Sequence, residues 1–563
     1  MTDFYINRFD IRDTENLKQS FDALLNESPA TEDEWNDWLA RRSALLDEIE
    51  EIITGHYIEF QCFSDDEQKK AQVEFDQQHI EPLRKAFQSE ADKKFLRSAA
   101  AQRPSSSLTY LVKRLHNQDQ LYTEANTRLE IEEDALATRY FEITGSMNVE
   151  WEGKPLSLSE LSPKLESSDR DVREKAFRLI SSCFEAEQKE LQSIMSSLIQ
   201  LRQKKADNAG LANYRDYMFQ KYERFDYTPE QCRQLADSIK RHIVPLKEKY
   251  ARLHMSELGL STYRPWDLRG TPTNHEQLKP FTTVLELTEK SKTVLNRVHS
   301  SYGSLLESMD EHNRLDLDAR QGKAPGGFCS YLPVSRDSFI FMNAASVHDD
   351  MITILHEMGH CLHNDRSSGF RIHEYRSAPM ESAELASMSM ELLTMNHWSE
   401  FYGEPKDLIR AQRDHFRDII NFLPVGAVVD QFQHWMYENP QHTEQERLKA
   451  FTRMQINFDA STADWSGIEH AQELSWMRIL HIYEVPFYFI EYVIAQLGAL
   501  QLYRNYQQDP VQALEAFNRA LQLGSSKPLP EVYEEAGIAF DFSDEMVKEL
   551  ANFIEQQLEA LER

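Results

Sequence analysis

Cysteine is scarce in this chain. Cys62, Cys183, Cys232, Cys329 and Cys361 are spread over 563 residues without a Cys-x-x-Cys spacing. An odd, scattered set argues against a disulfide framework and suits free thiols in a reducing compartment. Positive charge is also in deficit, with 62 Lys and Arg against 93 Asp and Glu, a net charge of −31. This argues against the basic footprint of a nucleic-acid surface and disfavours an anionic membrane as partner. Long apolar runs are missing too. The most apolar stretch, residues 485–502, is interrupted by Glu491 and Gln496 and reads as a buried helix rather than a membrane span. The first 20 residues have no basic segment followed by an apolar core, so no secretory signal is visible and a cytoplasmic location is expected.

What is present is helical pattern. Hydrophobic residues make up 41% and charged residues 28%, the balance of a folded globular chain. Thr31-Glu32-Asp33-Glu34 has the form of a capping box, and Trp35, Trp38, Leu39, Leu46, Ile49 and Ile53 then recur at helical spacing. Thr228-Pro229-Glu230-Gln231 gives a second start signal, with proline at the first helical position. Residues 66–100 and 163–206 read as amphipathic helices with solvated charged faces. Strand-like sequence is local: Ser338–Asn343 follows a glycine-containing loop, Gln321–Cys329. The expected fold is all-α with a small β element, divided into an N-terminal helical domain, 1–195, and a domain carrying the chemistry, 196–563.

His356-Glu357-Met358-Gly359-His360 is the most informative element. Positions four apart lie on one helical face, so both imidazoles can reach one metal ion while Glu357 sits beside it. Two nitrogen ligands and a nearby carboxylate suit Zn²⁺ and metal-assisted hydrolysis. The chain's own His and Glu usage would give such a pattern by chance in roughly 5% of comparable sequences, so context must add to it. Ile352, Ile354, Leu355 and Leu362 flank it as expected for a partly buried helix. The alternative is a pair of structural histidines whose polar atoms are satisfied by neighbours.

A catalytic zinc usually has three protein ligands. The downstream candidates are His363, His373, Glu374, Glu381, Glu384 and Glu391. Glu381 and Glu384 share a face of a helix beginning at Met380, and Glu391 follows two turns later. Their neighbours are Ala, Ser, Met and Leu, which points to close helix packing, where a carboxylate is better tolerated if it binds a cation. Glu384 is the preferred ligand and Glu381 its rival, with an orienting role expected for whichever does not bind. Further on, His481, Tyr488 and Tyr492 offer donors for a tetrahedral oxyanion, although an aromatic stripe at this spacing is more often core.

HEMGHCLH, followed by Glu384 within ESAELASMSMELL, resembles the zinc peptidases that include thimet oligopeptidase, neurolysin and oligoendopeptidase F. The GKAPGGFCS loop is more similar to the bacterial oligoendopeptidase F branch. The likeness runs from about Asn213 to Ile538. Met358 stands where that family commonly has Phe, and YRSAPMESAE lacks a glycine often seen before the third-ligand segment. The resemblance implies a large, neurolysin-like helical ellipsoid with a deep substrate channel. It also implies one Zn²⁺ held by His356, His360 and Glu384, Glu357 as general base, and His481, Tyr488 and Tyr492 as substrate or oxyanion contacts. Short unstructured peptides are the implied partners, with the chain a monomer or homodimer.

Three readings follow: a zinc endopeptidase for oligopeptides, a metallocarboxypeptidase of similar helical fold, and a non-catalytic helical scaffold for peptides. The carboxypeptidase needs a cationic pocket for the substrate carboxylate, for which Arg371, Arg376 and Arg478 are candidates. The strand at Phe339–Asn343 is expected to hold a peptide by strand addition, and the Gly326-Gly327 loop either closes over it or merely connects.

Overall fold

The computed structural model describes residues 4–459 and 463–562. Helices dominate, and seven position the site: α1 (Glu32–Cys62), α2 (Arg170–Asn208), α3 (Pro229–Glu257), α4 (His348–Ser367), α5 (Met380–Thr394), α6 (Pro405–Glu438) and α7 (Phe489–Gln508). A hairpin of β1 (Asn148–Trp151) and β2 (Lys154–Ser157) lies apart from a mixed sheet of β3 (Leu315–Asp318), β4 (Phe328–Leu332) and β5 (Asp337–Ala344). None of the described helices is long and apolar enough to cross a membrane.

Local sequence sets the helix starts. The Glu34 amide donates to Thr31 Oγ1 at 3.2 Å and the Thr31 amide donates back to Glu34 Oε2 at 3.2 Å, closing the capping box of α1. Thr228 and Gln231 do the same for α3, with Pro229 occupying the first turn where no amide is needed. The amphipathic segment expected from residue 163 begins later, because Ser162–Glu166 forms a 3-10 turn and Asp169 caps α2.

The boundary expected between residues 195 and 196 falls inside α2, which runs unbroken through it. The apolar core changes hands earlier. One cluster gathers residues from Ile11 to Leu115 with Tyr375, whereas the main core runs from Tyr140 to Leu558. The two are joined by buried charge: Arg42 on α1 donates to Glu374 Oε1 at 2.7 Å and to Asp92.

Strand order is β3-β5-β4, with β5 parallel to β3 and antiparallel to β4. Ser338–Met342 is therefore apolar or small and buried throughout, as expected of a central strand covered on both faces. Phe339 and Phe341 pack with Ile58 and Cys62 of α1. This corrects the strand-addition expectation. Both edges of β5 are already paired, and the strands with a neighbour on one side in this sheet, among the described residues, are β3 and β4, of which β4 carries the Cys329 amide that faces Glu357. β5 leads directly into α4, whose start is fixed by Asp350 Oδ2 accepting from the Ala345 and Val347 amides at 2.8 and 2.9 Å.

Arg202 of α2 shows how polar groups hold this core. Fully buried, it donates to Glu133 Oε1 at 2.6 Å, to the Tyr437 hydroxyl at 2.7 Å, to the Ile482 carbonyl at 3.2 Å and to the Tyr483 carbonyl. Burial opposes the Glu133 charge, but Arg202 and Lys205 overcome it and draw the carboxyl from 4.5 down to about 2. A depressed carboxyl contributes stability above its unfolded pKa and loses it as pH falls through the folded one. Arg202→Met is expected to cost about 3–5 kcal/mol in urea denaturation at pH 7, since one partner of a buried pair is stranded. Between pH 4.5 and about 2 the wild type should lose stability more steeply than the variant; equal slopes would show that Glu133 is not held charged by Arg202.

Candidate active site

The site is built where α4 and α5 nearly touch. A β-carbon on Gly359 would lie 2.4 Å from Ser387 Cα and 2.5 Å from the Ala386 carbonyl oxygen, both backbone atoms that cannot swing aside. Only a residue without a side chain lets α5 approach this closely. Small residues on the facing side, Ala383, Ala386 and Ser387, complete the fit. The approach brings Glu384 under the two histidines of α4.

His356, His360 and Glu384 present ligand atoms that all lie within 4.8 Å of one another. Glu384 Oε2 is 3.4 Å from His356 Nε2 and 3.7 Å from His360 Nε2. Ligands 2.0–2.1 Å from a tetrahedral zinc stand about 3.3 Å apart, so the donor set fits such an ion with small adjustment. The histidine side chains retain 20% exposure against 3% for Glu384, so the group is closed from the α5 side and open on the other.

Each of the three is held by further contacts. Glu384 Oε1 accepts from the Tyr488 hydroxyl at 2.6 Å and Oε2 from Ser387 Oγ at 3.0 Å. His356 Nδ1 lies 2.6 Å from Glu391 Oε1, which leaves Nε2 for an ion. Glu391 is itself 3.5 Å from His415 Nε2. The Ala383 carbonyl faces His360. Carboxylate and carbonyl partners of this kind fix ring orientation and tautomer in metal-binding histidines.

Electrostatics follow from burial in a carboxylate-rich place. Burial disfavours the Glu384 charge, yet His360, His356 and Tyr488 pull its carboxyl down to about 2. Burial likewise opposes protonation of His356, but Glu384 and Glu391 raise it well above the usual imidazole range. A cation is thus favoured between these glutamates. Glu357 is buried on α4, and burial, with Glu384 and Glu391, pushes its carboxyl up to about 7 while His356 and the Cys329 amide of β4 oppose the rise. That value suits a group that accepts and returns a proton near neutral pH.

Glu381 goes elsewhere. It accepts from the Tyr227 hydroxyl at 2.6 Å and lies 3.9 Å from Arg224, so the orienting partner of the histidine pair is Glu391 and not Glu381. Periodicity could not separate them, because residues three and seven apart on α5 share a face. The remaining candidates are engaged elsewhere: His373 pairs with Asp47 at 2.8 Å, Glu374 with Arg42, and His363, although near His360, is buried against the Ser382 backbone. The three arginines considered for a carboxylate pocket are committed too, Arg371 to Asp37, Arg376 to Asp47 and Arg478 to Ser181.

Across the site stand His481, Tyr488 and Tyr492. His481 lies in the short helix Leu480–Glu484, and Tyr488 immediately precedes α7. Tyr492 Oη is 3.5 Å from His481 Nε2, and the two tyrosine rings are 5.0 Å apart. Burial lowers the His481 pKa and raises those of both tyrosines, keeping all three neutral donors. A cavity of about 470 Å³ opens beside them, with Ile352, Met388, Ile419, Phe422 and Phe489 on its wall.

With this geometry in hand, comparison with known proteins is informative. The model of peptidase family M3 matches residues 164–552, well over half of the sequence. The chain belongs to peptidase family M3. It is 23% identical over 411 residues to the group B oligopeptidase PepB of Streptococcus agalactiae, aligning 69% of this chain with 65% of that protein. It is 22% identical to oligopeptidase PepF of Bacillus subtilis over 71% of this chain and 58% of that one. The chain therefore spans somewhat less than two thirds of the length of these relatives. Among solved structures, PZ peptidase A with a bound inhibitor superposes with a TM-score of 0.93 at 26% identity over 98% of both chains. Oligoendopeptidase F from Enterococcus faecium shares the fold at a TM-score of 0.66, with 17% identity over 98% of this chain and 96% of that one.

Because the Gly359 contact is with backbone, Gly359→Val is expected to force α4 and α5 apart, at a cost of about 1–3 kcal/mol. The variant should also bind Zn²⁺ at least tenfold more weakly in competition with a chelator dye. Unchanged affinity would mean that the helix approach does not set the ligand spacing.

Proposed function

We propose that this member of family M3 is a zinc-dependent metalloendopeptidase that hydrolyses short, unstructured oligopeptides. The observation that carries the reading is the meeting of His356, His360 and Glu384 beside a buried Glu357. Histidine Nε2 atoms and a carboxylate oxygen would hold one Zn²⁺ ion, which when bound polarises a water and the scissile carbonyl. Glu357 receives the proton given up by the attacking water and passes it to the leaving amine. The Cys329 amide, which faces the Glu357 carboxyl, keeps that group aimed from β4.

We assign different tasks to the two tyrosines. Tyr488 is engaged with Glu384 Oε1 and positions that carboxylate. Tyr492, whose hydroxyl lies 3.5 Å from His481 Nε2 and beside Tyr488, turns that hydroxyl to the oxyanion, together with His481. Donors aimed at developing charge in a dry site contribute several kcal/mol to the transition state. The outer edge of β4 replaces β5 as the place for an extended peptide, and the cavity beside Phe422 and Phe489, which Asp349, His415 and Asp418 also line, would take one of its side chains.

Endopeptidase action is favoured over removal of a C-terminal residue because Arg371 and Arg376 are ion-paired with Asp37 and Asp47, and Arg478 donates to Ser181 and is not on the wall of the cavity beside the site. The five cysteines are free thiols, consistent with action in a reducing compartment such as the cytoplasm.

A peptide blocked at both ends should be cut internally by the zinc-loaded chain; cleavage that waits for a free C-terminus would overturn the endopeptidase reading. Glu357→Gln should retain zinc and lose nearly all turnover, whereas full activity would return the chain to a peptide-binding scaffold. Tyr492→Phe should lower kcat by about 10²–10³ with zinc affinity unchanged. Glu391→Gln should instead weaken zinc binding by about 10–100-fold. Reversal of that split would sink the division of roles.

A further inference from the structure

A second group of donors lies buried between α3 and α6. Asp430 and His434 are four apart on one face of α6, and Cys232 comes from the first turn of α3. Their ligand atoms also lie within 4.8 Å of one another, with His434 Nε2 3.3 Å from Asp430 Oδ2. That spacing is the one that two ligands of a tetrahedral zinc adopt. The three residues are 1%, 0% and 2% exposed.

The hydrogen bonding here is incomplete. Gln431 donates to Asp430 Oδ2 at 2.9 Å, but Asp430 Oδ1 and both ring nitrogens of His434 have no hydrogen-bond partner. The rings of Phe219 and Phe487 stand 6.1 and 5.4 Å from the imidazole, walls that offer it no acceptor. An Asp430–His434 ion pair alone would leave the Nδ1 donor and Asp430 Oδ1 stranded, and a buried polar atom without a partner is destabilising. It would also give no reason for the thiol of Cys232 to share the site. The charge around Cys232 is mixed: Asp430 and Glu381 act on the thiol from one sign, Arg224 and Arg233 from the other.

We propose that Cys232, Asp430 and His434 bind a second, structural Zn²⁺ ion. Thiolate, imidazole and carboxylate together suit a borderline divalent metal, and the tetrahedral spacing of the donors suits zinc. Binding displaces the thiol proton to solvent and uses a neutral imidazole, so the ion satisfies the orphaned atoms of Asp430 and His434. It would staple α3 to α6. It would also fix His434 against Phe487, a residue with left-handed backbone (φ 68°) directly before Tyr488. The inference does not depend on the chemistry proposed for the motif site.

Metal analysis of the purified full chain, stripped with chelator, reloaded with Zn²⁺ and desalted, provides the test. About two equivalents are expected in the wild type, and about one in Cys232→Ser, in His434→Gln and in His356→Ala. Reloading with Co²⁺ should give a thiolate-to-cobalt absorption band in the wild type and in His356→Ala, but not in Cys232→Ser. That band is diagnostic because the motif site contains no sulfur ligand. A wild type that holds one equivalent and shows no such band would overturn the proposal. So would a second equivalent that survives in both Cys232→Ser and His434→Gln. If those variants fail to fold, the stoichiometry and band of His356→Ala decide the question by themselves.

Discussion

The contact between Gly359 and the backbone of Ala386 and Ser387 sets the scale of the whole site. A glutamate side chain is short, and it can meet two imidazoles on a neighbouring helix only if the helix axes are unusually close. One missing β-carbon provides that closeness, and the small residues of α5 preserve it. The sheet contributes from the other side, since β5 feeds straight into α4 and Asp350 locks the junction. The motif helix is therefore fixed at its start by a cap and at its middle by a helix contact.

Close packing creates an electrostatic problem that the fold then has to solve. α5 buries Glu381, Glu384 and Glu391, and carboxylates without partners are not tolerated in such surroundings. Each is answered differently. Glu381 has Tyr227 and Arg224, Glu384 has Tyr488, Ser387 and the histidine pair, and Glu391 lies between His356 and His415. Of the three, Glu384 is the one that meets both His356 and His360, whose side chains keep 20% exposure. The three-donor group thus sits on a helix whose other charges have been settled by protein partners.

Much of this was legible in the sequence, for reasons that can be named. The two histidines are local, so helical period alone puts them together, and the capping boxes of α1 and α3 are likewise encoded within four residues. The all-α class follows from the same short-range signals. What stayed hidden depends on contacts distant in sequence. Glu381 and Glu384 differ in their partners, not in their periodicity, and Tyr227 lies more than 150 positions away from Glu381. The apolar run of β5 reads as a strand, but its central place in the sheet is decided by β3 and β4. The Gly359 contact left a visible trace in the small residues of α5, although nothing local says which helix they face.

The tyrosine side of the site shows how rigidity can be supplied from a distance. Phe487 adopts a left-handed backbone conformation, which a bulky residue takes up only when its surroundings impose it. The imposition is visible: Gln433 accepts from its amide at 2.7 Å, Arg224 donates to its carbonyl at 2.6 Å, and its ring is fully buried. Arg202 holds the Ile482 carbonyl in the same way, just beyond His481. Both arginines grip main chain, so the bend that aims Tyr488 and begins α7 is held before any substrate arrives. Strain stored in that bend is offset by buried hydrogen bonds made at some distance from the reacting atoms. The bend can thus keep two hydroxyls and an imidazole in place beside the cavity without crowding it.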